Sequence, residues 1–300
     1  MNALKALCLA VLCSGIAISS ANAAETTSSI VIDAKSGNVL YANNADALRY
    51  PASLTKLMTL YIAFNALETG KLKMTDKLKV SKTAASRSPS KLGMPAGSYI
   101  DVKTLIEALI VKSANDCATV LAEALSPNEA EFAKLMTKTA HRLGMRHTTF
   151  KNASGLPNSA QKSTARDFAI LGAAIYHHFP QYYHMFSMKE FTYNGMTYKG
   201  HNYLLSDSLG TDGMKTGYTA ASGFNIVTSA QQGKYRVIAV TMGHKKVKDR
   251  DQNISKMMEL SLNYMKKNNH INTANLKNAI NSSIRSSKTA YNQAPRKYHR

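Results

Sequence analysis

The spacing of hydrophobic positions changes along the chain, and the changes mark its elements. Ser29-Ile30-Val31-Ile32 is a short apolar, β-branched run, and Val39-Leu40-Tyr41 is a second. Ser36-Gly37-Asn38 between them has turn composition, so the pair predicts a hairpin. From Pro51 the period lengthens. Leu57, Leu60, Tyr61, Phe64 and Leu67 recur at helical spacing on one broad face, and Gly70 supplies the stop. Helical periods continue over 102–111, 116–125, 130–143 and 164–176. The strand pattern then returns in Phe224-Asn225-Ile226-Val227 and Tyr235-Arg236-Val237-Ile238-Ala239-Val240, joined by the turn-like Gln231-Gln232-Gly233-Lys234. A helix over about 253–265 closes the periodic part.

Strands thus lie at both ends and helices fill the middle. This predicts an α+β fold, with a mostly antiparallel sheet built from the N- and C-terminal strands and flanked by helices. A hydrophobic fraction of 44% over 300 residues is enough for a sizeable core.

Two segments fall outside that core. Lys5, an apolar stretch over 6–18 and the small-residue site Ala21-Asn22-Ala23 read as a secretory signal peptide, residues 1–23. The stretch is shorter than the ~20 residues a membrane-spanning helix needs. Export implies the periplasm or cell envelope. Cys8 and Cys13 leave with the signal, so only Cys117 remains and no internal disulfide is expected. One globular domain is expected over 24–267. Beyond it, residues 268–300 turn to Asn, Ser and Lys and are expected to form a basic, disordered tail. Leu276, Ile280 and Ile284 sit four apart there, which allows a weak amphipathic helix. The formal net charge is +20, and the stretch 266–300 holds no Asp or Glu. That balance suits an anionic wall polymer or membrane surface, and export argues against nucleic acid.

Three short motifs carry candidate chemistry. Ser53-Leu54-Thr55-Lys56 is an S-x-x-K at a helix start, where i and i+3 side chains meet and unsatisfied N–H groups favour negative charge. A lysine there can take the serine proton if its amine is desolvated or crowded by another cation. Read alone, Ser53 is equally a plain N-cap. Ser113-Ala114-Asn115, between two helices, is either a turn or a hydroxyl and amide aimed at substrate. Lys215-Thr216-Gly217 precedes the Phe224 strand. It is either an exposed turn or a carboxylate-binding pair beside a glycine that admits close backbone approach. The histidines show no metal-ligand spacing, and there is no phosphate or dinucleotide loop, so neither metal nor cofactor is expected. Cys117, two residues past Asn115, reads as a packing residue near the pocket.

Together the order S-x-x-K, S-x-N, K-T-G resembles the set of serine β-lactamases and penicillin-binding proteins. Asn152-Ala153-Ser154-Gly155-Leu156-Pro157, Ser163-Thr164-Ala165-Arg166-Asp167 and Asp212-Gly213 narrow this further. The chain is similar to D-alanyl-D-alanine carboxypeptidases of the low-molecular-mass penicillin-binding proteins, from about residue 29 to 264. The resemblance implies the β-lactamase/DD-peptidase fold and removal of a terminal D-alanine from peptidoglycan peptides, with β-lactam antibiotics as inhibitors. It implies Ser53 as nucleophile, Lys56 as general base and Ser113 as proton relay. Asn115 would hold the substrate backbone, Lys215 and Thr216 would bind the terminal carboxylate, and Gly217 would belong to the same substrate-binding set. The N–H groups of Ser53 and Tyr218 would form the oxyanion hole. Arg250 resembles a family arginine near the carboxylate, although its surroundings align loosely. Many family members continue into a second, all-β domain, for which the roughly 35 residues after the catalytic part are too few.

The rival readings are a D,D-endopeptidase, a serine β-lactamase and a non-catalytic peptidoglycan-binding protein. Glu190, with Asn194 four residues on, is the one candidate for a β-lactamase deacylating glutamate, and it sits in a strand-like segment. Slow penicillin deacylation is therefore expected.

Overall fold

The computed structural model describes residues 27–267, 276–278 and 280–282. The expected signal peptide and most of the expected tail lie outside these residues.

A five-stranded antiparallel sheet organises the molecule. Its order is Val39–Asn43, Ser28–Asp33, Tyr235–His244, Gly223–Gln232 and Thr211–Thr219. The first hairpin and the last strands thus join in one sheet, because Ser28–Asp33 pairs directly with Tyr235–His244. Side chains alternate across the pleat, and both faces are covered. Ile30, Ile32, Ile238 and Val240 point into the larger core with the middle helices. Val31, Val237 and Ala239 point the other way, into a second cluster with Met257, Met258 and Leu262 of the closing helix, Val247–Lys267. Burial on both sides explains why Val237-Ile238-Ala239-Val240 is an unbroken apolar run.

The middle helices fall where the periods place them: Val102–Ile110, Asn115–Leu125, Glu129–Arg142 and Ala165–His178. The helix Lys56–Glu68 differs from its expected one-sided amphipathicity. Leu57, Met58, Leu60, Ala63 and Phe64 are fully buried, and the helix is enclosed on nearly every side. A helix that is apolar all round belongs at the centre of a domain, and this one anchors the site.

The 276–278 and 280–282 residues are helical and pack on the outer face of the sheet, inside the region expected to be a solvated tail. Leu276 and Ile280, one helical turn apart, are buried in the second cluster. Tyr41 Oη donates to Asn281 Oδ1 at 2.9 Å.

Candidate active site

Ser53 lies in a 3-10 turn, Ala52–Thr55, that leads into the Lys56–Glu68 helix. In a 3-10 turn the i and i+3 side chains eclipse, so Lys56 comes directly beside Ser53. Ala52, just before the nucleophile position, is held at φ 48°. Gly155 explains how, because a Cβ on Gly155 would collide with the Ala52 carbonyl. The glycine, itself at φ +89°, lets the 152–155 loop press against this turn. Asn152 Oδ1 folds that loop by accepting from Gly155 N at 2.7 Å and Ser154 N at 3.2 Å. Thr59 Oγ1 ties it to the helix by donating to Ala153 O at 2.6 Å.

The result is a fixed set of partners for Lys56, which is fully buried. Its Nζ lies 2.7 Å from Asn115 Oδ1, 2.6 Å from Ser154 O and 3.2 Å from Ser53 Oγ. Burial pushes the Lys56 amine well below its ordinary value, and the Lys215 charge pushes it further. A neutral amine donates two hydrogens and offers one lone pair. Asn115 Oδ1 and Ser154 O only accept, whereas the Ser53 hydroxyl can donate. The lone pair of a neutral Lys56 therefore faces the Ser53 proton.

Asn115 is held in turn by its own amide, with Nδ2 donating to Ser88 O at 2.9 Å and N to Ser90 O at 2.7 Å. Buried Asp116 fixes the same segment by accepting from Leu92 N and Gly93 N. Ser113 sits at φ 62°, and its buried Oγ has no hydrogen-bond partner among the described residues. Cys117 is fully buried, and burial raises its thiol well above the ordinary value. It packs rather than reacts.

The opposite wall is the Thr211–Thr219 strand, the sheet's edge. Half the N–H and C=O groups of an edge strand point away from the sheet, here toward the cleft. A Cβ on Gly217 would lie 3.0 Å from Ser53 N, so the glycine sets how closely strand and nucleophile turn approach. Lys215 is 2% exposed and donates to Thr216 O at 3.0 Å. Burial and then the Arg250 charge press its ammonium down to about 7. Arg250, 2% exposed in the first turn of the closing helix, is paired with Asp251. Asn225 joins the strand layer to the nucleophile turn by donating to Tyr50 O and Pro51 O.

A cavity of about 450 Å³ opens between these walls. Ser53, Ser113, Asn115, Thr216, Gly217, Tyr218 and Arg250 line it, with Lys56 and Lys215 buried behind. The structure therefore brings all nine sequence-derived candidates to one place, including the loosely aligned Arg250. It adds the Ser154 carbonyl, Gly155, His201, Tyr203 and Val247, which the motifs do not name. Gly155 and Ser154 were within reach, since both stand in the Asn152–Pro157 run. His201, Tyr203 and Val247 carry no local signal.

A family model described as D-alanyl-D-alanine carboxypeptidase matches residues 12–246. D-alanyl-D-alanine carboxypeptidase DacC of Escherichia coli (strain K12) is 42% identical over 72% of the chain, and DacD of the same organism is 37% identical over 76%. The chain spans 56% and 61% of the lengths of those two relatives. Penicillin binding protein 6B from Escherichia coli superposes with a TM-score of 0.74 at 35% identity, covering 77% of this chain and 75% of that one. The cefotaxime-bound Penicillin-Binding Protein D2 from Listeria monocytogenes does so at 0.71 and 30%, covering 78% and 96%. With its sheet, its three motifs in one cleft and a family match across most of its length, the chain belongs to the D-alanyl-D-alanine carboxypeptidase family of serine peptidases.

Proposed function

We propose that the protein removes the terminal D-alanine from peptidoglycan pentapeptides through an acyl-enzyme on Ser53. The observation that carries this reading is the environment of Lys56: a buried amine with three partners among the described residues, of which the Ser53 hydroxyl alone can donate. Lys56 takes the Ser53 proton as Oγ attacks the carbonyl of the penultimate D-alanine. The N–H groups of Ser53 and Tyr218 stabilise the oxyanion, an arrangement in which one donor is worth ~3–4 kcal/mol. The C–N bond then breaks, and the proton passes from Lys56 through the Ser113 hydroxyl to the leaving amine. Water, deprotonated by Lys56, hydrolyses the ester and returns Ser53.

Recognition of the terminal carboxylate falls to Thr216, Lys215 and Arg250. Lys215 and Arg250 concentrate positive charge in one poorly solvated place, and a substrate carboxylate relieves it. Binding of that carboxylate favours the protonated form of Lys215.

The β-lactamase reading lacks its glutamate. No Asp or Glu lines the cavity among the described residues, and Glu190 is exposed in the Glu190–Tyr193 strand of a separate hairpin. A penicillin ester on Ser53 is therefore long-lived. The enzyme acts outside the cytoplasmic membrane, and the basic C-terminal stretch associates with an anionic envelope surface.

Mass spectrometry with a pentapeptide and a labelled penicillin tests this, with Ser53→Ala alongside. Loss of one alanine and a stable adduct on Ser53 are expected. Cleavage of cross-linked dimers alone would make it an endopeptidase, and rapid penicillin turnover would make it a β-lactamase. No adduct in the wild type would leave only a binding protein.

A further inference from the structure

A second cavity, of about 500 Å³, adjoins the cleft on the far side of Tyr218, and Tyr218 lines both. Its charge is one-sided. Arg49, Lys162 and Lys245 line it, and no Asp or Glu does. No carboxylate of the described residues forms an ion pair with any of these three cations. Two of them are also held in place. Lys162 Nζ lies 3.1 Å from the Tyr50 ring centroid, a cation–π contact. Arg49 Nε donates to Ser28 Oγ at 2.9 Å, and its backbone pairs with Ser163. The floor is the tight 220–222 turn, where Ser222 N bonds back to Thr219 O.

The edge strand gives this cavity a place in the reaction. Lys215 and Thr216 come first along Thr211–Thr219, Gly217 abuts Ser53, and Tyr218 and Thr219 follow before the turn. A peptide whose terminal carboxylate sits at Lys215 and whose scissile carbonyl sits at Ser53 runs its upstream residues past Tyr218. An extended chain advances ~3.4 Å per residue, so roughly two or three residues reach the cationic cavity. We infer that the cavity lined by Arg49, Lys162 and Lys245 is a subsite for a carboxylate borne by the substrate peptide upstream of the scissile bond. This rests on the carboxypeptidase reading and extends it: the protein reads the peptide at both ends, with one anion at Lys215 and another beyond Tyr218. The ligand is a carboxylate on the same chain as the scissile bond, not a separate polyanion.

The test uses two synthetic pentapeptides ending in D-Ala-D-Ala, identical except that the upstream carboxylate is free in one and amidated in the other. In the wild type, kcat/KM for the free acid is expected to exceed that for the amide by about 2-fold to 5-fold, the scale of partly exposed charge pairs. The ratio is expected to fall toward one in Lys162→Gln and in Arg49→Gln, and in the wild type at ~0.5 M salt, where screening is strong. Penicillin labelling of Ser53 reports that each variant is folded. Both peptides are also scored as competitors of that labelling, a readout that does not require their hydrolysis. If neither peptide is hydrolysed but the free acid competes better and loses its advantage in Lys162→Gln, the carboxypeptidase reading falls and the subsite stands. A ratio near one in the wild type, by turnover or by competition, overturns the subsite, as does a ratio that Lys162→Gln and Arg49→Gln both leave intact. Failure of both peptides to compete overturns it as well.

Discussion

At the catalytic corner, where the edge strand meets the nucleophile turn, the chain buries Lys56 and Lys215 and holds Ala52 and Ser113 at positive φ. On the outer face of the same sheet, Val31, Leu40, Ile226, Met258 and Leu262 pack as an apolar cluster. The corner gathers what a folded protein normally avoids: desolvated cations, left-handed backbone at non-glycine residues, and an unpartnered Ser113 hydroxyl. The outer cluster gathers what stabilises a fold, since burying a large apolar side chain is worth ~1.5–3 kcal/mol. Chemistry and stability are thus housed in different parts of one molecule, and substitutions in the two parts should separate them.

The largest effect is expected from Lys56→Met. Turnover should fall by at least ~10⁴-fold, the upper range for loss of a general base. Stability should change little. Asn115 Oδ1 and Ser154 O lose a donor, at ~1–3 kcal/mol each, and replacement of a buried polar amine by an apolar side chain offsets that. A paired measurement of pentapeptide hydrolysis and thermal unfolding checks both halves. Retained turnover would remove Lys56 from the mechanism.

The mirror-image change is Met258→Ala on the outer face. Met258 is fully buried, so truncation should cost ~2–5 kcal/mol. Turnover per penicillin-titrated site should stay at the wild-type value. A fall in per-site turnover would mean that the two regions are coupled.

The same division explains what the sequence discloses. The central strands were legible, because Val237-Ile238-Ala239-Val240 and Ile30-Val31-Ile32 are apolar runs, whereas the share of Leu276 and Ile280 in the outer cluster was not. Ser53, Lys56, Ser113 and Asn115 were legible as motifs, because the proposed chemistry belongs to their side chains. The Thr211–Thr219 strand was harder. Lys215-Thr216-Gly217 left an exposed turn and a carboxylate-binding pair both open, since an edge strand facing a cleft has little apolar alternation to display. The Ser154 carbonyl left no trace in side-chain identity, although Gly155 beside it marks a close approach. Arg250 joins the site only because the Val247–Lys267 helix begins at the end of the cleft, a tertiary fact that spacing does not encode.

A smaller effect should appear in pH dependence, and it too belongs to the corner. Lys215 must be protonated to bind a carboxylate, and in the free enzyme it titrates at about 7. kcat/KM for the pentapeptide should therefore fall about tenfold per pH unit above that value. Because bound carboxylate holds the proton on Lys215, the corresponding limb of kcat should lie at higher pH. The sign for stability follows from the same depression. Between about 7 and the ordinary 10.5 the unfolded chain binds a proton that the folded one does not. Stability is thus full above the unfolded value and is lost as pH falls through this window. Lys215→Met should lower that slope by one proton in denaturant titrations and leave the share that comes from the depressed Lys56 amine, whereas Met258→Ala should leave all of it intact. A slope undiminished in Lys215→Met would assign it to groups other than Lys215.

The smallest effect isolates the strain itself. Ser113 occupies φ 62°, a region in which a non-glycine residue is disfavoured by ~1–2 kcal/mol. Glycine enters it freely but gains entropy when unfolded, at a cost of roughly 0.5–1 kcal/mol. Ser113→Gly should therefore be slightly more stable than the wild type, by up to about 1 kcal/mol, or ~2–4 °C in Tm for a domain of this size. Ser113→Ala is the control, since it removes the hydroxyl and keeps the strained backbone. Both variants should acylate slowly with pentapeptide if the Ser113 hydroxyl relays the leaving-group proton, and only the glycine variant should melt later. If alanine and glycine raise Tm equally, the cost lies in the buried hydroxyl. If neither raises it, the left-handed backbone at Ser113 is accommodated without penalty, and the contrast between corner and outer face rests on Ala52 and the buried basic side chains.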